Sequence, residues 1–166
     1  MSKHENNISL KKPEIIFLSL FGAGFLPKAP GTWGTAVTLP VVWTYCSLNI
    51  PIIFILPFYI VTFFGSIVLI NFVQKKYNVS DASWIVIDEA LGFFLMAPFV
   101  KGDNLYHLFL AFVLFRIFDA VKFFPVSWID QNVKGGLGVI LDDIAAGVLS
   151  IISYKIIILG LTLIGI

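Results

Sequence analysis

From residue 51 to residue 73 the chain runs for 23 positions without a charged side chain, and several other stretches come close to this. An apolar run of roughly 18 residues or more fits one setting above all, a helix across a bilayer, because lipid leaves backbone N–H and C=O groups only each other as partners. Composition agrees: 58% of residues are hydrophobic, 13% are charged and the mean hydropathy is +0.95, whereas a soluble domain averages about 25% charged residues. The pattern predicts an all-α, polytopic membrane helical bundle of about five spans plus a short N-terminal re-entrant or interfacial helix.

The spans fall in order. Residues 33–45 and 51–73 form a first hairpin, broken at residues 47–51, where Pro51 lacks a helix donor. Residues 84–100 and 105–124 form a second, turning at residues 101–104, and a last span covers about 139–166. Residues 15–26 carry Gly22 and Gly24; at about 1.5 Å per residue such a stretch reaches ~18 Å, short of a core of ~30 Å. It is expected to lie at the interface or re-enter, and to lead into a loop over residues 27–34. Residues 1–14 are expected to be a flexible cytoplasmic arm and 15–166 a single membrane-embedded domain. No cleavable leader is expected, since the first apolar run is followed by Pro27, Lys28, Ala29 and Pro30 with no small-x-small site. Cys46 is the lone cysteine, which fits a packing role.

Basic residues orient this bundle. Lys3, Lys11, Lys12, Lys28, Lys75, Lys76, Lys122 and Lys134 fall in the arm and the loops of one side, while the opposite short loops hold only Lys101. The positive-inside rule puts the lysine-rich side in the cytoplasm. Lys155, well inside the last span, either snorkels or marks a span that ends early. With this orientation Asp88, Glu89, Arg116, Asp119, Lys122, Asp142 and Asp143 all come to similar depth near the cytoplasmic side. Charge in hydrocarbon is expensive, so such groups pair, face a polar cavity or hold a metal. A net charge of +1 without a dense basic run gives no reason to expect a nucleic-acid partner.

Arg116, Asp119 and Lys122 are spaced i, i+3, i+6 on one helical stripe, which alone fits an ion-pair ladder as well as a site. The adjacent pairs Asp88-Glu89 and Asp142-Asp143 shift the balance, because four carboxylates in a small space need a cation to offset their repulsion. Hard oxygen ligands favour Mg²⁺, Ca²⁺ or Mn²⁺, and no Cys/His cluster is present for zinc. Gly92, Ala145, Ala146 and Gly147 follow the acids at spacings that permit close helix approach. The glycines of 135–138 could offer backbone N–H groups to a phosphate, and the turn of 30–35 offers Thr32 and Thr35 as hydroxyl donors; ordinary loops and caps have the same composition. A small cation transporter or channel using the same acids is the competing reading. Against it, the charges lie at one depth instead of crossing the bilayer.

Four segments, in order, carry a resemblance: Gly22-Ala-Gly-Phe-Leu-Pro-Lys-Ala-Pro-Gly-Thr-Trp-Gly-Thr35, Ile87-Asp-Glu-Ala-Leu-Gly92, Phe115-Arg-Ile-Phe-Asp-Ala-Val-Lys122 and Gly138-Val-Ile-Leu-Asp-Asp-Ile-Ala-Ala-Gly147. Together they resemble the phosphatidylglycerophosphatase A family of bacterial lipid phosphatases. The resemblance implies Mg²⁺-dependent hydrolysis of the terminal phosphomonoester of phosphatidylglycerophosphate, in glycerophospholipid biosynthesis, at the cytoplasmic side of a multi-pass protein of the bacterial inner membrane. Within it, Asp88, Glu89, Asp142 and Asp143 are expected to be catalytic and to ligate metal, with Asp119 either a further ligand or a partner of Arg116. Lys28, Thr32, Thr35, Arg116 and Lys122 are expected to bind substrate, and the nucleophile is either water or an aspartate. One departure stands out: Lys122 is followed by Phe123, Phe124 and Pro125, whereas the family continues with Pro-x-Pro, so the exit of that helix is left open.

Overall fold

Helices account for most of the chain in the computed structural model, which describes residues 9–79, 82–102 and 104–165. Among these residues are α1 (Pro13–Leu18), α2 (Pro30–Leu48), α3 (Ile52–Tyr77), α4 (Ile87–Phe94), α5 (Leu105–Val121), α6 (Val126–Asn132) and α7 (Gly135–Leu163), with 3-10 turns at Ala23–Phe25 and Ala97–Phe99 and no strand. The first eight residues of the expected arm, and Asp103 in the second hairpin's turn, lie outside the described residues.

The first hairpin forms as expected, with α2 closing on Asn49 in the left-handed region and Pro51 capping α3. Both helices outrun their expected limits. Pro30 occupies the first turn of α2, where a missing N–H costs nothing, so residues 30–34 are helix and not loop. Likewise residues 135–138 open α7 instead of preceding it, and Asn71 on α3 accepts the Gly136 N–H at 2.7 Å.

The third expected span is corrected. Residues 84–100 do not make one crossing helix: α4 has only eight residues, and a 3-10 turn carries the chain on to Val100. Pro98 has no N–H to offer the Phe94 carbonyl four residues back, so the α-helical ladder stops there. At about 1.5 Å per residue α4 is roughly 12 Å long. The expected N-terminal helix is short, as its length required, and breaks into α1 and the turn at Ala23–Phe25 through Leu20, Phe21 and Gly22, all at positive φ.

Two helices, α3 and α7, are long and apolar enough to cross a membrane. α3 buries only Ser66, Ile70, Val73 and Tyr77 and leaves Phe58, Val61 and Val68 about 70% exposed. So continuous an apolar face belongs against lipid. α7 is the hub on which α3, α4, α5 and α6 pack. One apolar cluster, around Phe93, Phe115 and Tyr154, joins α2, α4, α5 and α7; another, around Ile15, Ile70, Trp84 and Ile140, joins α1, α3, α4 and α7. Lys155 stays on a continuous helix, exposed, with its ammonium 5.6 Å from the Phe99 ring centre.

Candidate active site

The short helix α4 separates apolar from polar by its own spacing. Ile87, Leu91 and Phe94 fall on one face, while Asp88, Glu89 and Gly92 fall on the other. That second face meets α7 at very close range: a Cβ on Gly92 would stand 2.5 Å from the Asp143 carbonyl oxygen, and one on Gly147 2.5 Å from the Gly92 carbonyl oxygen. Glycine at both positions therefore lets the two acid pairs, 54 residues apart in the chain, share one space.

Asp88, Glu89 and Asp143 converge, each offering a carboxylate oxygen within 4.8 Å of the others. Asp88 and Asp143 are buried, 8% and 4% exposed. Asp88 Oδ1 and Glu89 Oε2 are buried with no hydrogen-bond partner. Buried polar atoms almost always find partners, so unpartnered carboxylate oxygens within this cluster call for a proton or a cation to offset their charge.

The remaining charged residues form two arms around this trio. In the first, Arg116 Nη1 lies 2.5 Å from Asp119 and donates to Thr35 Oγ1 at 3.3 Å, while the Thr35 hydroxyl donates to the Gly31 carbonyl at 2.9 Å. A Cβ on Gly31 would overlap Glu89 Oε1, so the first turn of α2 presses against the acid trio. In the second arm, Lys122 ends α5 with φ +52 and donates to Asp142 Oδ2 at 2.9 Å and to Asp130 Oδ1 at 2.6 Å. The Asp143 N–H donates to the other Asp142 oxygen at 3.1 Å. The helix exit left open by the Phe123-Phe124-Pro125 sequence is thus a left-handed Lys122 followed by α6, whose N-cap is Pro125.

Asp88, Glu89, Asp119, Lys122, Asp142 and Asp143 line one cavity of about 460 Å³, together with Asp130, Gln74, Lys134 and the first turn of α7. A cleft of about 210 Å³ adjoins it, sharing Gln74, Asp88, Glu89 and Val139 and reaching Pro30 and Gly31. A larger cavity, about 520 Å³, opens between Tyr45 and Lys101 and contains none of these acids. The expected site residues do not all play equivalent parts. Asp88, Glu89 and Asp143 form a trio, Asp142 is turned to Lys122 and Asp119 to Arg116. Thr35 spends its proton on Gly31 and offers Arg116 an acceptor. Thr32 is half-buried on α2, and Lys28 is exposed two residues before Pro30, outside the lining of both spaces. Asp130 was not expected. Its one sequence signal is that it is the only acid between Asp119 and Asp142.

Comparison with known proteins gives the same direction. The family model for phosphatidylglycerophosphatase A matches residues 16–158. A Haemophilus influenzae phosphatidylglycerophosphatase A is 33% identical over 153 residues, covering 89% of this chain and 93% of its own length. Its Escherichia coli K12 namesake is 30% identical over 153 residues, covering 88% and 84%. A Bacteroides thetaiotaomicron protein provisionally named phosphatidylinositol-3-phosphatase is 35% identical over 158 residues, covering 86% and 94%. No solved structure matches significantly. With four motifs in order, a trio of converging carboxylates and a family match over most of its length, this chain belongs to the phosphatidylglycerophosphatase A family.

Proposed function

We propose that this protein is a multi-pass phosphatase of the bacterial inner membrane, a single membrane-embedded domain over residues 15–166. It removes the terminal phosphate of phosphatidylglycerophosphate in a Mg²⁺-dependent reaction at the cytoplasmic side. The observation that carries the reading is the trio Asp88, Glu89 and Asp143, with two unpartnered oxygens, opening into a cavity that also presents Lys122. The family match supplies the substrate class. A cation pathway gains no support, since the cavity acids gather at one end of the bundle and the relatives bear phosphatase names.

The trio fits a hard divalent cation: three carboxylates, oxygen donors only, with one oxygen of Asp88 and one of Glu89 left without a hydrogen-bond partner. Asp88, Glu89 and Asp143 would hold it, and Mg²⁺ there supplies Lewis-acid polarisation of the phosphoryl group. The chain's own side chains do the rest. Lys122 meets the phosphate charge, and Arg116, held by Asp119 and Thr35, adds a planar fork suited to phosphate oxygens. Asp142 stands outside the trio and serves as the base: a water oxygen bonds phosphorus as the bond to the glycerol oxygen breaks, Asp142 takes the water's proton, and the departing glycerol oxygen takes up a proton from solvent to leave as the alcohol. Lys28 and Thr32, at the entrance of α2, steer the headgroup.

A second substrate has a specific reason behind it, the Bacteroides relative named for phosphatidylinositol-3-phosphate. Phosphate release from the two lipids by purified protein in Mg²⁺ decides between them. The proposal expects phosphatidylglycerophosphate to be hydrolysed at least ~10-fold more efficiently, a difference of about 1.4 kcal/mol in barrier. Preference for the inositol lipid overturns the substrate, and no release from either overturns the activity.

A further inference from the structure

Lys122 is held in a way that its role as a phosphate ligand does not require. Its backbone sits at φ +52, a conformation that disfavours residues with a Cβ, so the end of α5 is kept there by what its side chain and neighbours do. The ammonium is shared between two carboxylates on different helices: Asp142 on α7 at 2.9 Å and Asp130 on α6 at 2.6 Å. The two differ in exposure, the Asp142 side chain being 11% exposed and that of Asp130 45%. Asp142 belongs to the inner wall beside the acid trio, and Asp130 to the open rim of the same cavity. With Asp142 alone as partner, the ammonium would settle against the wall as a closed pair. The Asp130 carboxylate draws it outward to the entrance.

Resting on the lipid-phosphatase reading, we infer that Asp130 is a positioning residue that holds the Lys122 ammonium at the cavity mouth, where an incoming phosphomonoester takes over the Asp130 arm. The exposed arm is the one that exchanges. Its pairing is screened by water, while a phosphate carrying between one and two negative charges competes for the same ammonium. Removing Asp130 has two opposed effects on phosphate binding: it deletes a repulsive charge at the rim, and it lets Lys122 fall back onto Asp142. The repulsion is weak at an exposed position. Loss of a pre-placed charged donor is the larger effect, so binding weakens on balance.

The test is steady-state hydrolysis of phosphatidylglycerophosphate in detergent micelles by Asp130→Ala, Asp130→Asn and Asp130→Glu, alone and in a Lys122→Met background. Asp130→Ala is expected to raise KM roughly 5–10-fold with kcat changed less than about twofold, the size expected for one charge-assisted hydrogen bond. Asp130→Asn keeps an acceptor for the ammonium and should fall between Ala and wild type, and Asp130→Glu should restore KM. In the Lys122→Met background Asp130→Ala should leave KM unchanged or slightly lower, because only the weak rim repulsion is left for it to remove. An unchanged or lowered KM in Asp130→Ala, or the same KM increase with and without Lys122, overturns the proposal. Loss of folding in Asp130→Ala would move the decision to the Asn and Glu variants, whose carboxamide and longer carboxylate preserve polarity at an exposed site. Binding of inorganic phosphate to the same proteins, followed by calorimetry, separates this from failure of the lipid-phosphatase reading. If wild type hydrolyses no lipid yet binds phosphate, weaker binding in Asp130→Ala still supports the positioning role. Equal binding, or none by wild type, overturns it.

Discussion

Asp88 and Glu89 are neighbours in sequence and partners in space, yet neither has a full set of hydrogen bonds, and this asymmetry decides what their removal should do. A carboxylate that only held the fold together would cost stability when converted to its amide; one that ligates metal costs turnover. Asp88→Asn, Glu89→Gln and Asp143→Asn are therefore expected to fold normally and to lose about 10²-fold or more of kcat, as is Asp142→Asn through loss of the base. Near-normal turnover in any two of the four would remove the carboxylate site. These four were legible in the sequence because ionisable groups in apolar surroundings demand a reason. Asp130 was not, because an acid on a short exposed helix needs no partner to be soluble, and its pairing with Lys122 depends on how α6 folds back beside the end of α5. Nor could spacing alone divide the acids into a trio and two ion-paired outliers; that division depends on which helix each helix meets.

Among the elements, α4 and α7 decide whether a site exists at all. Their crossing is set by Gly92 and Gly147, so Gly92→Leu should lower stability by about 1–3 kcal/mol, as overpacking does, and activity with it. Gly65→Ala on α3 meets open space and should be neutral or stabilising by up to ~1 kcal/mol. Thermal unfolding in detergent compares the two. The hairpin α2–α3 could be read from its proline and apolar lengths, whereas the shortness of α4 could not, since its run is as apolar as a crossing helix and only Pro98 signals the break. α1 is tied to the end of α3 by Glu14, which pairs with Lys76 at 2.8 Å and accepts from the Tyr77 hydroxyl at 3.1 Å. The Lys76 hydrogen bond, the largest influence, holds the Glu14 carboxyl down at about 2, below its ordinary 4.5. A depressed carboxylate stabilises above its unfolded value and ceases to as pH falls through the folded one. Docking of α1 should thus be intact above about pH 4.5 and weaken between 4.5 and 2, with hydrogen exchange of α1 amides rising in that window while Glu14→Gln shows the faster exchange already at neutral pH.

For the molecule as a whole, the proposed orientation rests on the lysine distribution and on the position of the acid cavity, and labelling tests it. In a Cys46→Ala background, cysteine at Lys28 or Lys134 should react with a membrane-impermeant thiol reagent only when the cytoplasmic face is open, and cysteine at Lys101 only from the opposite face. The reverse pattern would place the cavity outside the cell and refute the orientation. Whether three carboxylates and a divalent cation hydrolyse a lipid phosphomonoester is decided by phosphate release from phosphatidylglycerophosphate. Purified wild type and Asp143→Asn are compared with Mg²⁺, after exhaustive chelation and after Mg²⁺ is restored. Wild type should release phosphate, stop on chelation and recover on Mg²⁺ addition, with Asp143→Asn about 10²-fold slower whenever Mg²⁺ is present. Full activity in metal-free wild type, or an Asp143→Asn protein as fast as wild type, would contradict it.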